Sequence, residues 1–431
     1  MKKTKKKRKS HFKEGRWGVA CKDGKFYQFT DKHVLVMTAW PQPRAWFKRR
    51  SHNWRHTRKV ADQLFSSRDF VESADAPQKP ESPFVLPDGQ LALPGISYEE
   101  WIAKKEYSEY LTRVEFLSKI PEDIKVELTR YSARRWHMLN LFARCPGTMD
   151  LSKSNPALAF ALASNWVFHK PAVQRPMRAA RALAWKKQKE ILAWLGFPAT
   201  KAVRKIMAKI DPEALNIEML LYLRDALVNP RCLKMLSHLP HLTRETVMMI
   251  SNRHLTECVT PNLLEDALAN EIQSTNHEDN INAYELLVDT TRMARIVNWE
   301  KCPRSFCSLK RLKDVHDELV PKMDLNKLKA SCNLPDEFAE PPFTGTDSII
   351  PLTTPEEVCI EGHVQKNCVA AHVPYISRGQ EYVYRVEKPV RATLSVVLRQ
   401  GRWRLDQIYK ACNEPVEPYL QAEVFKELCA S

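Results

Sequence analysis

The sequence predicts a multidomain, mainly α-helical protein. A small basic β region stands at the N-terminus, a helical array fills the middle, and an α+β module with an antiparallel sheet closes the chain. Three observations carry this reading. The first 60 residues hold 19 Lys and Arg against three acids, a net of +16, while the remaining 67 − 19 = 48 bases and 51 − 3 = 48 acids cancel. From about Tyr98 to Leu334 apolar residues recur at spacings of three and four, the period of a helix with one buried face. Beyond residue 345 the pattern shifts to short alternating runs separated by turn residues, the signature of strands.

Residues 1–13 are a basic tail, too polar and self-repelling to fold alone. Strands are expected at Val19–Cys21, Phe26–Phe29 and Val34–Met37, with a hairpin turn at Asp23-Gly24, since Asp-Gly supplies the positive φ angles a two-residue turn needs. "PQPRAWFKRRSHNWRHTRK" follows, in which Trp46, Phe47 and Trp54 are interleaved with Arg44, Lys48, Arg49, Arg50, Arg55, Arg58 and Lys59. Residues 66–96, rich in Ser, Pro and Asp, read as a linker. The expected organisation is therefore a basic tail and hairpin region over 1–65, the linker over 66–96, a helical domain over 97–345 and an α+β domain over 346–431.

Within the helical stretch, "NPALAFALASNWVF", "MRAARALAWKKQKEILAWLGF", "EMLLYLRDALVNP" and "EDNINAYELLVDTTRMARIVNW" carry the periodic apolar positions, and prolines fall between them. In the last region Thr354-Pro355-Glu356-Glu357 is a helix start: Thr354 as N-cap, Pro355 at the first helical position and Glu357 completing a capping box. That helix is expected to run through Cys368 towards His372, with Pro374 limiting it. Strands follow at "EYVYRVEK", "RATLSVVL" and "WRLDQIY", the last two joined by a turn at Arg399-Gln400-Gly401-Arg402, and a final helix lies near "YLQAEVFKELC".

The bulk composition narrows the classes. No apolar run approaches 18 residues, so a membrane span is not expected. The N-terminal charges have no apolar run behind them, which does not fit a secretory signal. Eleven scattered cysteines without a CxxC pair fit reduced thiols in a cytoplasmic protein, not a disulfide scaffold.

The C-terminal region carries Glu361-Gly362, Asn367-Cys368-Val369-Ala370-Ala371-His372, Gly379, Thr393-Leu394 and Gln407-Ile408-Tyr409-Lys410-Ala411-Cys412-Asn413-Glu414-Pro415. In order and spacing this resembles the PcfJ-like family of conjugative plasmids and other mobile elements, over about 60 residues. Asn367 stands where that family has His, His372 where it has Tyr, and Lys410 where it has Gly. The resemblance implies an accessory role beside conjugation or other mobile-element proteins, with no defined reaction.

Several constellations could carry chemistry. Cys368 and His372 at i, i+4 would share a helix face, so a nucleophile and base are conceivable, with Glu361 or Asn413 orienting the ring. Cys359, His363, Cys368 and His372, with Cys412 as a substitute, offer soft metal ligands, but four positions on one helix cannot converge on one ion. Cys302 with Cys307 and His52 with His56 are isolated pairs. The expectation is that Cys368 packs in the core, that His372 is a surface or rim residue, and that no metal and no cofactor is held. Glu361, Asn367, Thr393, Gln407 and Asn413 form a further candidate set, amides and a carboxylate that could meet on one concave face. The basic N-terminal region is the better candidate. Lys5, Lys6, Lys7, Arg8, Lys9, Arg44, Lys48, Arg49, Arg50, Arg55, Arg58 and Lys59 would neutralise phosphates, and Trp46 and Trp54 would stack on bases. The expected partner is nucleic acid, DNA or RNA. An enzyme acting on nucleic acid or nucleotides through the C-terminal module, or a scaffold binding an acidic protein, are the alternatives. No membrane partner is expected.

Overall fold

The computed structural model describes residues 18–30, 33–49, 53–57, 98–168, 176–273, 282–399 and 402–430. The basic tail with Lys5, Lys6, Lys7, Arg8 and Lys9, the positions Arg50, Arg58 and Lys59, and the 66–96 segment lie outside the described residues. The chain divides into two compact units, Met1–Val228 and Asn229–Ser431, so the division falls inside the helical stretch.

The first unit opens with a five-stranded antiparallel meander: β1 (Gly18–Lys22), β2 (Lys25–Phe29), β3 (His33–Thr38), β4 (Arg44–Arg49) and β5 (Arg55–Thr57). The β1–β2 turn is the expected one, with Asp23 at φ 52° and Gly24 at φ 68°, the two positive angles of a type I′ turn. The basic aromatic stretch supplies β4 and β5. Phe26, Leu35, Met37 and Ala45 share one face of the sheet and are buried. That face packs on α1 (Tyr98–Leu117), where the Phe26 and Phe116 rings lie 5.3 Å apart.

Behind α1 come α2 (Glu122–Thr129), α3 (Arg135–Arg144), α4 (Thr148–Ser154), α5 (Pro156–Ala163), α6 (Pro176–Leu183), α7 (Gln188–Trp194), α8 (Lys201–Ala208) and α9 (Ile217–Ala226). Every residue of α5 is buried, as "PALAFALA" has no polar face to present. Asn155 caps it, accepting from the Leu158 N–H at 3.2 Å, with Pro156 in the first turn. The periodic run 177–197 forms two helices, α6 and α7.

The second unit holds α10 (Pro230–His238), α11 (Arg244–Ser251), α12 (Pro261–Gln273), α13 (Ala283–Ile296), α14 (Leu309–Leu319) and α15 (Leu325–Ser331). The α+β module follows, with β6 (Ile349–Pro351), α16 (Pro355–Gln365), α17 (Val373–Ile376), β7 (Glu381–Val386), β8 (Ala392–Arg399), β9 (Arg402–Tyr409) and α18 (Pro418–Ala430). Its strands pair antiparallel in the order β6-β7-β8-β9. Thr354 and Glu357 make the capping box in both directions, each bond 3.1 Å.

The helix does not run through Cys368: it stops at Gln365, and Lys366 turns left-handed at φ 51°. The Asn367 N–H donates to the Gly362 carbonyl at 3.0 Å and closes the break. The Asn367 side chain then caps a separate 3₁₀ turn, Cys368–His372, accepting from the Val369 N–H at 3.2 Å. Among the described residues no helix is long and apolar enough to cross a membrane.

Candidate functional site

Strand alternation splits the C-terminal sheet into two unlike faces. Tyr382, Tyr384, Val386, Ala392, Leu394 and Val396 form one, all apolar or aromatic and buried. The other carries Glu381, Thr393, Ser395, Gln407 and Tyr409; the register sets Thr393 opposite Tyr409 and Ser395 opposite Gln407. After Ser395–Gln407 the next pair is Val396–Leu405, so Asp406 is the extra residue of a β-bulge. The polar face is nevertheless buried, with Thr393 and Ser395 each only 6% exposed. A buried polar face demands partners, because an unsatisfied group there costs on the order of 1–3 kcal/mol.

Those partners come from the 3₁₀ turn, α16 and α13. Thr393 Oγ1 donates to Glu361 Oε1 at 2.7 Å and accepts from Asn367 Nδ2 at 3.1 Å. Glu361, 2% exposed, is gripped by both terminal nitrogens of Arg391, at 2.9 and 2.6 Å. Gln407 Nε2 donates to Glu285 Oε2 at 3.1 Å. His372 Nδ1 lies 2.7 Å from Glu381 Oε2, and Cys368 Sγ donates to Asp289 Oδ2 at 3.2 Å. Asp289 in turn pairs with Arg292 through Oδ1, and the Arg292 guanidinium sits over the Tyr375 ring at 5.1 Å.

Six of the residues singled out in this module therefore meet. Asn367, Cys368, His372, Thr393, Gln407 and Asn413 line one pocket with Val369, Ser395 and Tyr409, and Glu361 stands behind Thr393. The cavity volume is about 30 Å³, room for a water molecule or an ion.

Several expected roles change. Of the surface or rim position expected for it, His372 does not take the surface one: it is 7% exposed and lines the pocket, with its ring on Glu381. Glu381 is the acid on the ring, not Glu361 or Asn413. Cys368 is buried as expected, yet it faces a carboxylate as well as apolar neighbours. Burial, then the charge of Asp289, pushes its thiol well above the ordinary value, which opposes a free thiolate nucleophile. Burial first, then Asp289 and Asp406, lift the Glu285 carboxyl to about 7. Cys359 is buried on α16 and His363 exposed there, away from the cluster that Cys368 and His372 join.

Sequence reading missed Asp289, Arg292, Glu285, Glu381 and Ser395. One signal was available: Asp289 and Met293 are i, i+4 on α13 and both buried, so an acid interrupts an apolar stripe.

The N-terminal sheet offers a second arrangement. Opposite its buried face lie Lys22, Lys25, Tyr27, Phe29, Arg44, Trp46, Lys48 and His56, placed together by register. Lys22, Lys25, Arg44 and His56 are exposed, and Tyr27, Phe29, Trp46 and Lys48 half-buried. The Tyr27 and Phe29 rings are stacked at 6.3 Å, Trp46 meets His56 edge-on at 6.3 Å, and the Lys48 ammonium lies 6.0 Å from the exposed Trp54 ring. Arg49 and Arg55 alternate to the other side of the sheet, so they do not join this row. No family profile, curated protein or solved structure matches this chain.

Proposed function

We propose that the protein binds single-stranded nucleic acid, DNA or RNA, on the aromatic and basic face of its N-terminal sheet, as a PcfJ-like accessory protein of a mobile element. The observation that supports this best is the division of labour between the two faces of one small sheet. One buries Phe26, Leu35, Met37 and Ala45 and carries Arg49 and Arg55 at its margin; the other sets four rings, Tyr27, Phe29, Trp46 and His56, among Lys22, Lys25, Arg44 and Lys48. A fold alone needs only the first face. Flat rings flanked by cations suit unpaired bases and their phosphates, since stacking tolerates any base and charge neutralisation any sequence.

The test is fluorescence anisotropy of labelled single-stranded oligonucleotides with the full-length chain across a salt series. Affinity falls linearly on a log–log salt plot, and Trp46→Ala weakens single-stranded binding by about 1–3 kcal/mol while duplex binding changes less. A Tyr27→Ala chain is measured beside it, each variant checked by thermal unfolding. If both folded variants bind single strands as tightly as the parent, this face is not the binding surface.

A further inference from the structure

We infer that Asp289, Cys368 and His372 form a site for one divalent, zinc-class metal ion, open towards the polar pocket for a further ligand. A carboxylate oxygen of Asp289, Sγ of Cys368 and a ring nitrogen of His372 lie within 4.8 Å of one another, and all three residues are buried. The Sγ–Oδ2 distance is 3.2 Å. Zinc–sulfur bonds of about 2.3 Å and zinc–oxygen bonds of about 2.0–2.2 Å make the S–O edge of a tetrahedron about 3.5 Å, so an ion needs only a small spreading of the pair.

The surroundings hold each ligand by its other end. A carboxylate accepts, so His372 Nδ1–H donates to Glu381, which leaves Nε2 as the ring nitrogen a metal would take. Arg292 takes Oδ1 of Asp289, leaving Oδ2. Glu285 and Asp406 add carboxylates beside Asp289, and Arg399 is paired with Asp406 at 2.7 Å. Four carboxyl groups, of Glu285, Asp289, Glu381 and Asp406, thus gather near two guanidinium groups, those of Arg292 and the more exposed Arg399.

An independent observation points to a missing ligand. Ser395 Oγ is buried, lines the same pocket as Cys368 and His372, and has no hydrogen-bond partner among the described residues. An orphaned hydroxyl facing a water-sized cavity suits a metal-bound water. A thiol–carboxylate bond without an ion would account for Cys368 and Asp289 but not for Ser395. The mixed S, N and O set selects zinc or a similar borderline ion over magnesium or calcium, which take oxygen. On binding, the ion replaces the thiol proton, which leaves to solvent, and the thiolate and carboxylate balance its two charges.

The experiment is a Co²⁺ titration of full-length protein stripped with a chelator, followed by absorbance and by metal analysis. One Co²⁺ binds per chain with a thiolate-to-cobalt charge-transfer band. Cys368→Ser loses the band, and Glu381→Gln, whose amide oxygen still accepts from the ring, weakens affinity about 10–100-fold. No charge-transfer band in the parent chain overturns the site, as does a band unchanged in folded Cys368→Ser. If that variant does not fold, Glu381→Gln decides: parental affinity in it counts against the site.

Discussion

The two sheets of this protein are both short antiparallel meanders, yet they put their second faces to opposite uses. In the N-terminal sheet, Phe26, Leu35, Met37 and Ala45 are buried on one face, which meets α1 at Phe26, and the other face keeps Lys25, Arg44 and His56 exposed. In the C-terminal sheet the apolar face is buried too, but the polar face is also covered, by the Cys368–His372 turn and the carboxylates of α13. A strand period of two sorts side chains onto faces in both cases; what differs, among the described residues, is whether another element covers the second face. Where none does, polar residues make a surface that long flexible cations can serve. Where one does, the same kinds of residue must be paired one by one, and the result is a small, fully determined cavity.

The largest test of that difference is Arg391→Ala. Glu361 is 2% exposed and depends on Arg391 for two charged hydrogen bonds. Removing the guanidinium strands a buried carboxylate and is expected to cost about 3–5 kcal/mol in the unfolding of the second unit, measured by chemical denaturation. Glu361→Gln leaves behind a partly exposed Arg391, with 32% of its side chain accessible, and should cost less. Equal losses, or an Arg391→Ala cost below about 1 kcal/mol, would mean the polar face is not sealed.

That contrast explains what the sequence could and could not reveal. The Asp23-Gly24 turn and the Thr354–Glu357 box were legible because each is a local bargain between neighbours. The meeting of Asn367, Thr393, Gln407 and Asn413 was legible as a set of polar types, since a helix over a three-stranded sheet has few places to put them. The break at Lys366 was not. A left-handed lysine carries no local signature, and it is held by the Asn367–Gly362 bond that the turn itself creates. Likewise Glu381 finds His372, and Asp289 finds Cys368, only once strand and helix have docked, across 9 and 79 positions. The covered sheet was the harder one to read because its chemistry is tertiary.

A smaller effect distinguishes the units by pH. Glu245 on α11 accepts from the Tyr284 N–H at 3.0 Å, at the start of the helix that carries Asp289. Burial, its largest influence, lifts its carboxyl from an ordinary 4.5 to about 7. Below about 4.5 both folded and unfolded chains hold the proton. Between about 4.5 and 7 the unfolded chain releases it and the folded chain does not, so rising pH costs stability, by at most about 1.4 kcal/mol per pH unit. Glu245→Gln should flatten this slope in denaturation midpoints read across that window. An unchanged slope would place the carboxyl in water.

The smallest expected change in stability comes from the open face, and it sharpens the comparison most. Lys25 is exposed and sits directly opposite Lys22 across the β1–β2 ladder. Like charges in that position repel, so the pair works against the hairpin by a few tenths of a kcal/mol. Lys25→Ala should therefore leave stability within about 0.5 kcal/mol of the parent chain, with a gain more expected than a loss. Its effect should appear instead in binding, as a loss shared by all oligonucleotide sequences and a salt slope shallower by about one phosphate. Denaturation and anisotropy on the same preparation separate the two roles. A loss of stability above about 1 kcal/mol with the salt slope intact would make Lys25 a structural residue, and the open face would then be a second buried face in the making.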